Sequence, residues 1–159
     1  MDELRRAYLS IGSNIEPELH LPRAVSMLKG CGTVASTSSV WESQAVNSSG
    51  PNFLNACVSF LTLLPPVDVK EQVIRPIEAS LGRVRSADHN APRTIDLDIV
   101  LYDDQPLNVD FWEYAFVIVP LAELVPGFIH PLRRETLARV SVQAQEQVWI
   151  VRRSEVLLS

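Results

Sequence analysis

No run in the 159-residue sequence approaches the roughly 20 consecutive apolar residues that cross a bilayer, so no membrane role is expected. The opening "MDELRRAYLSIG" lacks the basic-then-apolar layout of a secretory leader, and the expected setting is the cytoplasm. Cysteine is scarce. Cys31 and Cys57 form no metal-like cluster and read as buried thiols in a reducing compartment, with a disulfide as the alternative. A basic excess is also missing: the net charge is −5, and a general nucleic-acid binder shows the opposite balance. The phosphate-cradling pattern G-x-x-x-x-G-K-[ST] occurs nowhere. No repeat, low-complexity tract or linker divides the chain, so residues 1–159 are expected to form a single domain with one core.

What is present is alternation. Ala7, Leu9 and Ile11 take every second place in a strand expected near Arg6–Ser13, ended by the turn residues "GSN". A helix is expected over Leu19–Lys29, with Pro22 tolerated in its first turn and Gly30 and Gly32 closing it. Strands are expected at Val34–Ser43 and Phe53–Leu63, with a loop at 43–52 between them. Asp68–Leu81 carries Val69, Val73, Ile77 and Leu81 at helical steps, with a kink expected at Pro76. An Arg-rich loop, 82–94, leads into a strand at Thr94–Tyr102. Further on, 120–126 reads as a short helical turn, 135–145 as a helix and 148–152 as a last strand. The order β-α-β-β-α-β over the first hundred residues is that of a ferredoxin-like α+β fold. It predicts an antiparallel sheet with helices packed on one face and the second face open for a site.

The strand after the Arg-rich loop reads "TIDLDIVLY". Ile95, Leu97, Ile99 and Leu101 alternate with Asp96, Asp98 and Val100. Residues two apart on a strand share a face, with Cα atoms about 6.5–7 Å apart. Two carboxylates about 5 Å apart repel by about 3 kcal/mol at an effective dielectric near 20. Water, protonation or cations relieve that repulsion. The plain reading is a wet polar face. The chemical reading is a pair of ligands for Mg2+, which takes one or two protein carboxylates and completes its shell with substrate phosphates. Four arginines between 75 and 93 lie against only Glu78 and Asp88. Guanidinium forks match phosphate oxygens, and such a cluster on an acidic chain points to a local anion site.

These residues also carry a resemblance. "HNAPRTIDLDIV" (89–100) resembles the signature of the 6-hydroxymethyl-7,8-dihydropterin pyrophosphokinase (HPPK) family. "AYLSIGSN" (7–14), "FLNACV" (53–58), "IEASLGRVR" (77–85) and "AFVIVPLAELVPGFIHP" (115–131) resemble further segments of it in the same order. The resemblance implies transfer of pyrophosphate from ATP, the co-substrate, to the hydroxymethyl group of the pterin, with release of AMP and the use of two Mg2+ ions. It implies Asp96 and Asp98 as metal ligands, and Arg83 and Arg93 as catalytic cations. Arg85 would hold nucleotide phosphate, and Ile99 would lie near adenine. Phe53 and Phe116 would stack on the two pterin faces, and Asn55 would bond its edge. Ser43 and the backbone at Ala45 and Val46 would add polar contacts. The implied partners are these small molecules alone, without nucleic acid or membrane, on a monomer or weak homodimer. An RNA-binding module of the same fold would need a basic face with exposed aromatics on its central strands.

One segment departs from the family pattern. Members usually carry a longer loop of the type Pro-His-x…Arg-x-Phe, whose His and Arg contact the ATP phosphates. Here residues 107–116 are shorter and contain no His, with Tyr114 about where that Arg would stand and Asp110 and Glu113 nearby. A second reading therefore stays open: a degenerate paralogue that binds pterin or nucleotide with little pyrophosphokinase activity, or that acts on a related substrate. His20 and His130 read as surface or structural residues.

Overall fold

Strand β1 (Arg5–Ser13) lies at the heart of a seven-stranded antiparallel sheet. The computed structural model describes residues 3–46, 50–83 and 94–158. On one side β1 pairs with β4 (Phe53–Thr62), on the other with β5 (Asp96–Tyr102). β2 (Thr33–Thr37) and β3 (Trp41–Ser43) both line the far edge of β4. β6 (Gln105–Pro106) closes the β5 edge, and β7 (Ile150–Arg152) pairs with β3. The single strand expected at Val34–Ser43 is broken at Ser38. There the backbone N–H still donates to the Cys57 carbonyl, but the hydroxyl takes the Cys57 N–H in place of a ladder carbonyl.

Alternation sorts β1 as expected. Ala7, Leu9 and Ile11 are fully buried against α1 (Pro17–Cys31) and against the helical segment Pro66–Ser80. Helix α1 buries Leu21, Ala24, Val25 and Leu28, a stripe at steps of three and four. It starts at Pro17, earlier than the sequence suggested, and Pro22 lies inside it rather than in its first turn. The second segment is α2 (Pro66–Val69), a π-helical stretch Lys70–Ile74, then α3 (Arg75–Ser80). The Arg75 N–H donates to the Lys70 carbonyl, five residues back. The irregularity predicted for Pro76 thus takes the form of a widened turn just before it, which absorbs the missing proline donor.

The other face is not left bare. α4 (Ala115–Leu124) and α5 (Leu137–Gln147) cover its lower part, where Tyr8, Cys57, Val100 and Leu101 meet Val117, Ile118, Leu121 and Val140. α4 begins at Ala115, where only a short turn from Pro120 was expected. Opposite Tyr8/Leu9 the β5 register slips by one residue, so Val100 and Leu101 both reach this second core. The expectation of an open second face therefore holds only above α4 and α5.

Residues 107–116 are fixed by one aromatic. Trp112, in the 3-10 turn Val109–Glu113, is 1% exposed. Its Nε1–H is shared between the carbonyls of Val100 (3.1 Å) and Leu107 (3.2 Å). Its own carbonyl meets His130 Nε2 at 2.8 Å. Since His130 Nδ1 accepts from the N–H groups of Leu132 and Arg133, the ring proton sits on Nε2. His130 is a buried structural residue, as is His20, whose Nδ1 bonds the Ile15 carbonyl. Trp112→Phe keeps the aromatic bulk but removes the shared donor. The expected loss is about 1–2 kcal/mol of unfolding free energy, read from denaturant midpoints.

Cys57 is buried and free, and burial pushes its thiol well above the usual range. Cys31, expected to be buried, is exposed, and no disulfide joins the two. Among the described residues no helix is long and apolar enough to cross a membrane.

Candidate active site

The register assembles one polar row across four strands. Asp96 pairs with Gly12, Gly12 with Asn55 and Asn55 with Trp41. Directly paired residues of an antiparallel sheet point to the same side. Beside this row Asp98 pairs with Ser10 and Phe53 with Ser43. The period-two rule thus puts both aspartates, Phe53, Asn55 and Ser43 on one face, above the cover of α4 and α5. Both aspartates are half-buried, and so is Phe53.

Asn55 is held by two acceptors. Its Nδ2 donates to Ser43 Oγ (2.8 Å) and to the Trp41 carbonyl (3.2 Å). A carbonyl can only accept, so the amide nitrogen must face it, and Oδ1 faces away from β3. Trp41 is held in turn: its Nε1–H donates to Glu123 Oε2 at 2.7 Å, and the Arg152 guanidinium lies 5.0 Å from its ring centroid. Glu123 also accepts from the backbone N–H and hydroxyl of Ser39, so it ties α4 to the start of β3. Phe116, in the first turn of α4, is half-buried and stacks on Tyr114, with centroids 5.0 Å apart and planes 17° apart. Ala45 and Val46 follow β3, the first half-buried and the second exposed.

At the carboxylate end, Arg83 bridges helix and sheet. Its Nη1 donates to Glu78 Oε2 (2.5 Å) and Asp96 Oδ1 (2.8 Å). The same Glu78 oxygen accepts the Leu97 N–H at 3.1 Å. The Glu78 side chain is 5% exposed and that of Arg83 15%. Burial works against the guanidinium's charge, but Asp96 and Glu78 outweigh it and hold its pKa above the ordinary value. Glu78 had read only as one of two acids among the arginines. The signal that could have found it is its place next to Ile77 on the buried side of a helix, five residues before Arg83.

Not every expected residue joins this face. The Ile99 side chain lies on the opposite one, packed with Leu97 in the core under α1, and is 6% exposed. Only its backbone remains for a ligand, and its carbonyl already accepts from Asn108 Nδ2. Arg85 and Arg93 lie outside the described residues. Among the described residues no group of three or more His, Cys, Asp or Glu side chains could hold a metal by itself. A pair of hard carboxylate oxygens on an accessible face is the donor set that suits Mg2+, which draws its remaining ligands from phosphate and water.

Comparison with known proteins gives a consistent result. Residues 8–126 match the family model described as 7,8-dihydro-6-hydroxymethylpterin-pyrophosphokinase (HPPK). The chain is 35% identical to the 2-amino-4-hydroxy-6-hydroxymethyldihydropteridine pyrophosphokinase of Methylorubrum extorquens, covering 91% of this chain and 99% of that protein. It is 32% identical to the Bacillus subtilis protein of the same name, over 90% and 89% respectively. Among solved structures, Plasmodium falciparum HPPK-DHPS with SDX-DHP superposes with a TM-score of 0.66 over 92% of this chain, at 11% identity. This chain spans 45% of that longer one, and at such identity the likeness concerns the fold.

Proposed function

This chain belongs to the 7,8-dihydro-6-hydroxymethylpterin-pyrophosphokinase family, and from that premise we propose how its residues divide the family's reaction. The chain is an ATP-dependent pyrophosphokinase. It transfers pyrophosphate from ATP to hydroxymethyldihydropterin, a step of folate synthesis. The alternative of a degenerate paralogue gains no support from the relatives or the fold. What supports the division of labour is the single row Asp96–Gly12–Asn55–Trp41, which puts a carboxylate end and an amide end on one face.

At the ring end, Asn55 and Ser43 bond the pterin edge, and the backbone at Ala45 and Val46 adds polar contacts. Phe53 and Phe116 stack on the ring's two sides, since a flat heteroaromatic suits an aromatic slot with a few polar anchors. At the other end, Asp96 and Asp98 would hold two Mg2+ ions. When bound, these supply charge neutralisation for the triphosphate. Arg83 and Arg93 stabilise charge on the transferring group, Arg85 holds nucleotide phosphate, and the Ile99 backbone lies beside adenine. Held in line, the pterin hydroxymethyl oxygen bonds to the β-phosphorus of ATP and gives up its proton to water. The bond from that phosphorus to the oxygen shared with the α-phosphate breaks, and AMP leaves with the electron pair. The protein's contribution is mostly positioning and charge stabilisation. The reading includes a single domain with no nucleic-acid or membrane partner, acting as a monomer or weak homodimer. A cytoplasmic setting accords with the two free thiols.

The direct test mixes the protein with magnesium-ATP and 6-hydroxymethyl-7,8-dihydropterin and separates the nucleotides. One AMP per pterin consumed, with no ADP, is expected. Pterin binding with no AMP at any substrate concentration would instead select the paralogue. In the same assay Phe53→Ala is expected to raise the pterin KM about tenfold, because stacking on one ring is worth about 1–3 kcal/mol. The ATP KM is expected to stay within about twofold.

A further inference from the structure

We propose that Gly12 is a specificity-determining residue of the pterin pocket: its missing side chain leaves the notch through which a ring N–H reaches Asn55 Oδ1. The inference rests on the assignment of the Phe53–Asn55 face to the pterin.

The argument begins with the amide. Both Nδ2 protons of Asn55 are spent, on Ser43 Oγ and the Trp41 carbonyl. Asn55 can therefore offer a ligand only an acceptor, and its partner must donate. Among the described residues the one fully enclosed side-chain polar atom without a partner is Thr94 Oγ1. Asn55 Oδ1 accepts from no described residue and is not that enclosed atom, so it keeps some exposure although Asn55 as a whole is 2% exposed. The pyrimidine edge of a pterin presents N–H donors, and so matches a lone acceptor.

Gly12 controls access to that acceptor. A Cβ at position 12 would stand 3.3 Å from Asn55 Oδ1 and 3.6 Å from Cδ1 of Phe53. A donor nitrogen must itself come within about 2.7–3.2 Å of Oδ1. A methyl group at Gly12 would thus occupy the ligand's approach and crowd the ring on which the pterin stacks. The backbone gives no other reason for glycine here. Gly12 sits within extended β1, and the one described glycine with positive φ is Gly82. Alanine fits the strand, and the 3.3 Å contact asks only a few tenths of an ångström of the Asn55 side chain. The cost of a methyl therefore falls on the ligand.

The experiment measures both KM values and the melting temperature of the full chain as wild type, Gly12→Ala and Asn55→Ala. It also measures wild-type binding of a pterin methylated on its pyrimidine-edge N–H. Gly12→Ala is expected to raise the pterin KM about tenfold or more, with the ATP KM within about twofold and the melting temperature unchanged. The methylated ring is expected to bind at least about tenfold more weakly than its parent. If Asn55→Ala raises the pterin KM while Gly12→Ala leaves it within about twofold, the role of Gly12 is refuted and the face assignment stands. If neither variant moves it, both fall. Equal binding of the methylated and parent rings refutes the notch even if Gly12→Ala fails to fold.

Discussion

Asp98→Ala is expected to cut AMP release by about a thousandfold or more while leaving pterin binding within about tenfold. Two observations set the size of each effect. Asp98 shares a face with Asp96, and Asp96 already takes the Arg83 guanidinium at 2.8 Å. Removing Asp98 takes away one of the two protein carboxylates on this face that suit Mg2+. A metal ion on a phosphoryl group contributes several kcal/mol to the transition state, and about 4 kcal/mol is a thousandfold in rate. The pterin end lies two strands away at Asn55, about 10 Å at normal strand spacing, so the ring contacts survive. Asp98→Asn keeps the shape without the charge and is expected to lose as much activity as the alanine. A rise in the Mg2+ concentration needed for half-maximal rate would mark the metal role. Equal losses of AMP release and of pterin binding, the latter read by ligand fluorescence, would overturn it.

How much of this site could be read from the sequence depends on what period-two alternation carries. It says which residues share a strand face, and so Asp96 with Asp98, and Phe53 with Asn55, were legible without coordinates. It does not say what lies across the ladder. That Gly12 stands between Asp96 and Asn55 follows from registers set by the whole sheet. Ile99 shows the same rule from its other side. By alternation it belongs with Ile95 and Leu97, away from the carboxylates, and the structure buries it there. The helix limits were misread for a physical reason. Sequence pattern puts Pro22 in the first turn of its helix and opens a short turn at Pro120, yet both lie inside helices that begin at Pro17 and Ala115. The carbonyl each proline fails to serve, at residues 18 and 116, lies in the first helical turn, where the chain end can splay to relieve the ring clash. The cover over the second face was missed for want of long-range information. Val117, Ile118 and Leu121 announce a buried helix, but not which side of the sheet it packs on.

Arg83 illustrates how structure changes a role without removing it. The sequence offered it as a catalytic cation, whereas the fold shows it also joining α3 to β5 through Glu78 and Asp96. Arg83→Leu is therefore expected to do two separable things. It leaves the buried Glu78 carboxylate facing an alkyl group where the guanidinium stood. Breaking a buried pair from one side costs about 3 kcal/mol or more, which a denaturant melt resolves. It should also slow AMP release by about 10²–10³-fold, the usual cost of losing one preorganised charge-stabilising donor. Adding Glu78→Gln to that variant divides the two effects. Glutamine keeps an acceptor for the Leu97 N–H but removes the charge that lost the Arg83 guanidinium, so part of the lost stability should return. The rate should not recover, because no cation has been restored beside Asp96. If AMP release recovers in step with the melting midpoint, Arg83 acts only as a strut between helix and strand. If stability recovers while the rate stays low, the same guanidinium serves the fold and the reaction, and Glu78 is the residue that positions it for both.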